Sequence, residues 1–266
     1  MPPVEDEEAS KIEEGIIVTK PTTNGDNSPS SSSTLTATTT QKLIAEFIGT
    51  FFLIFAGCGA VGVNKVYGSI TFPGVCVTWG LIVMVMIYSV GHVSGAHFNP
   101  AVTIASTLLG RFSIWQAPLY VVAQMGGSLL ASFALSVLLH DPVSATKGTT
   151  AFFGTAPVGS NIQSFIVETI ISYLLMFVVS AISTDYRAVG QLGGIAVGMT
   201  ILLNVLIAGP ISGASMNPAR TIGPAVIQQH YEGIWVYIAG PIIGTILGGG
   251  SYNLLRSKEP SSLKIY

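Results

Sequence analysis

Two asparagines carry the chemistry this chain can do. Asn99 lies in Gly91-His-Val-Ser-Gly-Ala-His-Phe-Asn-Pro-Ala-Val-Thr103. The stretch returns 118 residues later as Gly209-Pro-Ile-Ser-Gly-Ala-Ser-Met-Asn-Pro-Ala-Arg-Thr221, with eight of thirteen positions identical. Asn is a favoured N-cap, its side-chain oxygen accepting from a first-turn N–H, and Pro is favoured next, where an N–H would lack a partner. Asn99-Pro100-Ala101 and Asn217-Pro218-Ala219 therefore read as helix starts. With the oxygen so engaged, each amide NH₂ remains a donor pointing off the helix end. No His, Cys and Asp set with metal-ligand or triad spacing accompanies them, so neither an enzyme nor a cofactor is expected.

The elements that must hold these asparagines are membrane spans. The 266 residues are 49% hydrophobic and 9% charged, with mean hydropathy +0.63, which places the chain in the multispanning class. Seven of the thirteen acidic residues fall in the first 26 positions, so the remainder is nearly charge-free and offers no nucleic-acid surface. Residues 1–41 are acidic, then Ser/Thr-rich, a composition that cannot bury a core and predicts a disordered cytoplasmic tail. The chain start lacks the pattern of a cleaved signal peptide, so the first span is expected to serve for targeting.

Six runs are long enough to cross a bilayer: about 43–63, 72–90, 114–139, 162–183, 191–208 and 233–255. Between the second and third, and between the fifth and sixth, lies a short segment opening on Asn-Pro-Ala. Pro100 to Leu109 is ten residues, about 15 Å of helix against a hydrocarbon core of about 30 Å. Each such helix reaches halfway. The Ser-Gly-Ala backbone before it is tolerated at that depth only if it lines a cavity or is packed in protein. Three spans and a re-entrant half-helix, given twice over about 42–139 and 162–255, predict an all-α membrane fold with an inverted repeat. Two half-helices entering from opposite faces would meet at the midplane, their positive dipole ends repelling cations.

Glu46 in the first span and Glu168 in the fourth stand at equivalent places, each with a hydroxyl one turn on. Intramembrane carboxylates are candidate proton carriers. The favoured account is structural, each bracing the irregular backbone beside it by accepting N–H bonds. Gly190, Gly194 and Gly198, with Gly240, Gly244 and Gly248, suit close helix packing. Cys58 and Cys76 lie in apolar runs, where no disulfide is expected. Lys42, Arg111, Arg187, Arg256, Lys258 and Lys264 would flank the inner face against Lys65 and Lys147 outside, so both termini are expected to be cytoplasmic.

The paired Asn-Pro-Ala boxes, each preceded by Ser-Gly-Ala, resemble the aquaporin (major intrinsic protein) family over about residues 42–256. That resemblance implies a passive channel for water and small uncharged solutes that excludes ions. It implies pore-lining carbonyls at Gly95, Ala96, His97, Gly213, Ala214 and Ser215. It also implies an outer constriction of Trp79, Val205, Ala214 and Arg220, a set similar to the first subgroup of plant nodulin-26-like intrinsic proteins. An apolar Val205 facing an indole, with Arg220 as donor, suits glycerol, formamide, urea or lactic acid, as selectivity by diameter and donors requires. Thr221, where glycerol facilitators carry Asp, looks more like a water channel; metalloid acids also remain open. By composition alone Trp79 could equally be an interfacial anchor facing lipid. The resemblance further implies a homotetramer in a plasma membrane or endomembrane of a plant cell, and a kinase acting on Ser257, Ser261 or Ser262 in the cytoplasmic tail 257–266. The alternative is a proton-coupled transporter using Glu46 and Glu168.

Overall fold

The computed structural model describes residues 37–139 and 151–257; residues 1–36, Lys147, Lys258, Ser261, Ser262 and Lys264 lie outside the described residues. The helices run α1 (Thr39–Tyr67), α2 (Thr71–Ser94), α3 (Pro100–Leu108) and α4 (Ala117–Leu138), then α5 (Asn161–Thr184), α6 (Gly193–Ser212), α7 (Pro218–Gln228) and α8 (Val236–Leu255). Long, long, short, long is thus given twice. The first set packs α1 along α4 and the second α5 along α8, while α2 and α6 cross between them. Each short helix leans on the last long helix of the other set, α3 on α8 and α7 on α4. That exchange ties the two repeats together around their half-helices.

Glycines set the crossings, and they come in equivalent pairs. A Cβ on Gly80 would lie 2.7 Å from the Gly198 carbonyl, and one on Gly198 would lie 2.6 Å from that of Gly80. Gly127 lets α4 meet the Phe47 carbonyl of α1, and Gly244 lets α8 meet the Thr169 carbonyl of α5. Real atoms do not approach so closely, so any side chain here would drive the helices apart. Gly194 against the Tyr88 ring, Gly240 against Glu168 and Gly248 against the Tyr173 carbonyl act likewise. Gly190 departs from expectation: it is exposed in a 3-10 turn, Gly190–Leu192, that precedes α6.

Boundaries differ from the hydropathy runs where polar residues carry helix. α1 begins at Thr39 because Thr38 and Gln41 form a capping box, with Thr38 N donating to Gln41 Oε1 at 2.7 Å. α2 and α6 run four residues past their apolar stretches, to Ser94 and Ser212, before Gly95 and Gly213 end them. Among the described residues, five helical segments meet the length and apolarity of a span, namely α1, α2, α4, α5 and Gly190–Ser212. α8 has the length but is diluted by Gly240, Gly244, Gly248, Gly249 and Gly250, part of the same set that seats it on α5.

Candidate functional site

The site begins where α2 and α6 stop. Gly95 (φ 86°) and Gly213 (φ 81°) take left-handed backbone, and so, less comfortably, do Ala96, Phe98, Ala214 and Met216, with φ between 48° and 56°. Such residues cost about 1 kcal/mol or more each and persist only where the surroundings dictate them. The two glutamates do so. Glu46 Oε1 accepts from Ser94 Oγ at 2.7 Å and His97 N at 2.9 Å, and Oε2 from Phe98 N at 2.7 Å and Gln124 Nε2 at 2.8 Å. Glu168 Oε1 accepts from Ser212 Oγ at 2.6 Å and Ser215 N at 2.8 Å, and Oε2 from Met216 N at 2.8 Å. Each loop is a backbone nest whose anion is a resident side chain.

With the N–H groups turned toward the carboxylates, the carbonyls turn elsewhere. None of the hydrogen bonds among the described residues ends on the carbonyls of Gly95, Ala96, His97, Gly213, Ala214 or Ser215. Tyr120 and Tyr237, both fully buried, close the loops by donating to the Ser94 and Ser212 carbonyls at 2.8 and 2.7 Å.

The asparagines then cap their helices and clasp each other's loop. Asn99 Oδ1 accepts from Ala101 N at 2.9 Å, and Asn217 Oδ1 from Ala219 N at 2.9 Å and Arg220 N at 3.4 Å. Asn99 Nδ2 donates to the Met216 carbonyl at 2.8 Å, and Asn217 Nδ2 to the Phe98 carbonyl at 2.9 Å. The two half-helix starts therefore abut, and each amide keeps a second N–H free of any partner among the described residues. The opposite repeat steadies each box: Ser128 Oγ donates to the Ala219 carbonyl at 2.5 Å and Thr245 Oγ1 to the Ala101 carbonyl at 3.2 Å.

Behind the caps the halves use different side chains for one task. Thr103 Oγ1 meets His97 Nδ1 at 3.1 Å and Gln124 Nε2 at 2.9 Å. Thr221 Oγ1 meets Ser215 Oγ at 2.7 Å and Thr155 Oγ1 at 2.6 Å. Thr155 belongs to the stretch 151–160, which also takes Lys65 Nζ on the Phe152 carbonyl at 2.7 Å and donates Val158 N to the Ile211 carbonyl at 3.1 Å.

Trp79, Val205, Ala214 and Arg220 are all buried, between 2% and 5% exposed, and the first three share one apolar cluster. Arg220 Cζ lies 5.1 Å from the Trp79 ring centroid, within cation–π range. Trp79 therefore faces inward rather than out to lipid. Arg220 Nε and Nη1 are buried and find no hydrogen-bond partner among the described residues. A desolvated cation with idle donors is costly unless something else receives them.

At the other end of the bundle, Arg111 follows α3 and reaches Ser180 Oγ at 2.6 Å, Asn253 Oδ1 at 2.7 Å and the Gly249 carbonyl at 3.2 Å. Nearby, Asp185 receives Arg187 through both oxygens, at 2.9 and 2.7 Å, and Tyr252 Oη at 3.2 Å. The Arg187 guanidinium holds the Asp185 carboxyl well below the usual carboxylate range, and Asp185 in turn raises Arg187. Ser257 lies half-buried just past α8. Cys58 and Cys76 are buried free thiols, and no group among the described residues is arranged to hold a metal.

Sequence reasoning passed over Tyr120, Tyr237, Ser128, Thr245 and Gln124. The repeat signals the first four, since they pair at a constant offset of 117, but Gln124 meets Pro241 in the second repeat and has no echo. Residues 151–160 carry no periodic signal at all.

Residues 33–252 match the model of the major intrinsic protein family. The chain is 59% identical over 256 residues to a probable aquaporin NIP-type of Nicotiana alata, covering 96% of this chain and 92% of that one. It is 57% identical over 254 residues to probable aquaporin NIP4-2 of Arabidopsis thaliana, covering 95% and 87%. It is 61% identical over 217 residues to aquaporin NIP1-3 of Oryza sativa subsp. japonica, covering 81% and 74%. Among solved structures, the aquaglyceroporin from Plasmodium falciparum shares the fold, with TM-score 0.73 at 24% identity over 81% of this chain and 96% of that one.

Proposed function

Because the chain belongs to the major intrinsic protein family, as a NIP-type aquaporin, we propose that Asn99 and Asn217 form the waist, and Trp79, Val205, Ala214 and Arg220 the outer constriction, of its conduit. The family makes it an integral multi-pass membrane channel for water and small solutes and not an enzyme. The solute it takes is a small neutral molecule with one polar and one carbon side, such as glycerol, formamide, urea or lactic acid. The observation that carries this choice is Arg220, whose buried Nε and Nη1 lack partners among the described residues, beside a broad indole. A hydroxyl or carbonyl satisfies the donors while carbon lies along Trp79 and Val205. The idle carbonyls of Gly95, Ala96, His97, Gly213, Ala214 and Ser215 would pass such donors onward to the two asparagine amides. Exclusion of protons and cations by an Arg and half-helix dipoles is established for aquaporin-type pores, and both parts are present here.

The rival, a proton-coupled transporter, needs a carboxylate free to change state, whereas Glu46 and Glu168 are each fixed by several donors. Stopped-flow swelling of proteoliposomes against a panel of neutral solutes, with and without a protonophore, tests both. Passive flux of the named solutes, unchanged by the protonophore, is expected. Collapse of uptake with the proton gradient would overturn the channel mechanism, and passage of water alone would overturn the solute choice. Lys42, Arg111, Arg187 and Arg256 put both termini on the cytoplasmic face by the positive-inside rule. The channel domain 42–256 is a homotetramer in a plasma membrane or endomembrane, with the tail 257–266 open to a kinase at Ser257, Ser261 or Ser262.

A further inference from the structure

We infer that Gly57 is a specificity-determining residue of this channel, acting through the indole of Trp79. Gly57 faces inward on α1, one residue before Cys58, where both are buried. A Cβ built on Gly57 lies 2.5 Å from Trp79 Cδ2 and nearer still to Cε3 and Cζ3. Three ring atoms at nearly equal distance mean that the missing methyl would sit against the flat of the six-membered ring, not its edge. The ring and the helix backbone are therefore in face-to-backbone contact.

Carbon atoms rest about 3.5–4.0 Å apart, so even alanine at 57 forces the ring to retreat by about 1 Å. The indole is rigid, with two torsions and no flexible tip to fold away. α1 is backed by α4 and has little room to yield instead: Gly127 of α4 abuts the Phe47 carbonyl and would have Phe51 N at 3.0 Å from a Cβ, and Leu135 Cδ2 would stand 3.2 Å from a Cβ on Gly59. Relief is available only by moving the ring away from α1. On that course the ring shifts relative to the guanidinium of Arg220, whose Cζ lies 5.1 Å from its centroid. The width of the constriction and the aim of its donor are thus set from behind by the absence of a side chain.

This inference rests on Trp79 lining the constriction, and the test separates the two. Purified Gly57→Ala, Trp79→Ala and the double variant are compared in proteoliposomes for the ratio of glycerol to water permeability, a quantity that lost protein or poor insertion does not alter. Gly57→Ala should change the ratio by about fivefold, what one mis-aimed hydrogen bond from Arg220 is worth. In the Trp79→Ala background, where no ring remains to strike, the same substitution should leave the ratio unmoved. If Gly57→Ala inserts poorly, recovery of yield in the double variant supports the same contact, and equally poor yield in both overturns it. Equal effects of Gly57→Ala in both backgrounds, or none in either, would refute the role of Gly57 while leaving Trp79 in place. A ratio indifferent to Trp79→Ala would remove both.

Discussion

Glu46 accepts four hydrogen bonds and Glu168 three, and the difference is Gln124, whose counterpart in the second repeat is Pro241. The same loop is thus braced in two ways. In the first repeat a buried side-chain amide lies across the carboxylate, its own Oε1 without a partner among the described residues. In the second, the carboxylate stands without such a neighbour.

That asymmetry predicts unequal cost for the same substitution. Glutamine at either site turns one acceptor oxygen into a donor facing a backbone N–H, orphaning it at about 1–3 kcal/mol. In Glu46→Gln the Gln124 amide can rotate and present Oε1 to the new NH₂, recovering a bond. Glu168→Gln can turn only the Ser212 hydroxyl, which also reaches the Ala208 carbonyl and could accept from the new NH₂, as Ser94 could at Glu46. With one partner fewer to reorient, its detergent stability should fall further, by about 1 kcal/mol. Thermal unfolding of the two purified variants checks the order. Equal losses would mean Gln124 contributes nothing to the brace.

The mutual clasp of Asn99 and Asn217 predicts what a charge would do there. Asn99→Asp or Asn217→Asp exchanges the donor to the Met216 or Phe98 carbonyl for a carboxylate oxygen facing it. It also brings negative charge to the meeting of two helix N-termini, each carrying about half a positive charge. Both variants should pass monovalent cations faster than the unaltered protein, measured as ion flux in proteoliposomes. Variants that fold, pass water and stay ion-tight would show that the barrier lies elsewhere.

Gly127 and Gly244 make equivalent contacts, so equal substitutions should do equal harm. Valine at either would drive its Cβ into a carbonyl of the facing helix, an overpacking cost of about 3 kcal/mol. Membrane yield and melting temperature should drop alike for Gly127→Val and Gly244→Val. A tolerant site would mean the helices there can part without loss.

What could be read from the sequence divides along physical lines. The half-helix starts are legible because an Asn N-cap and a Pro at N1 are local signals, and duplication repeats them in register. Glu46 and Glu168 are legible because charge in an apolar run is rare. The inverted order follows from counting spans. Thr155 and Lys65, by contrast, act through loop contacts far apart in the chain, and Gln124 acts without an echo. Gly57 does its work through what it lacks, against a ring 22 residues away. α8 shows the reverse limit: the glycines that fit it to α5 also weaken the apolar signal by which a span is recognised.

Val205 offers the most direct change of preference. If Val205 lines the proposed constriction with Trp79, histidine there would add a donor and acceptor to an apolar wall and narrow it. Water gains a partner and a carbon backbone loses its surface. Val205→His should shift the water-to-glycerol ratio toward water by about fivefold, the worth of one hydrogen bond of about 1 kcal/mol. An unchanged ratio would place Val205 outside the constriction.

Asp185 fixes the loop between α5 and α6 to the end of α8, through Arg187, whose Nη2 also reaches the Leu255 carbonyl at 3.1 Å, and through Tyr252. Its pH behaviour follows from sign alone. The carboxyl lies below its ordinary value of 3.8 in the folded chain, so its contribution is full above that value and fades only as pH falls through the depressed one. Acidification from pH 7 to 5 stays above both. Hydrogen-exchange protection at Ala188 and Leu192, which donate to the Asp185 and Val189 carbonyls, should therefore be the same at both pH values once intrinsic rates are removed. Asp185→Asn, which replaces the carboxylate held by Arg187 with a neutral amide, should lower that protection at pH 7 and 5 alike. Protection lost in the native protein between pH 7 and 5 would show that another group titrates in this latch. Protection kept in Asp185→Asn would show that the loop is held without the ion pair.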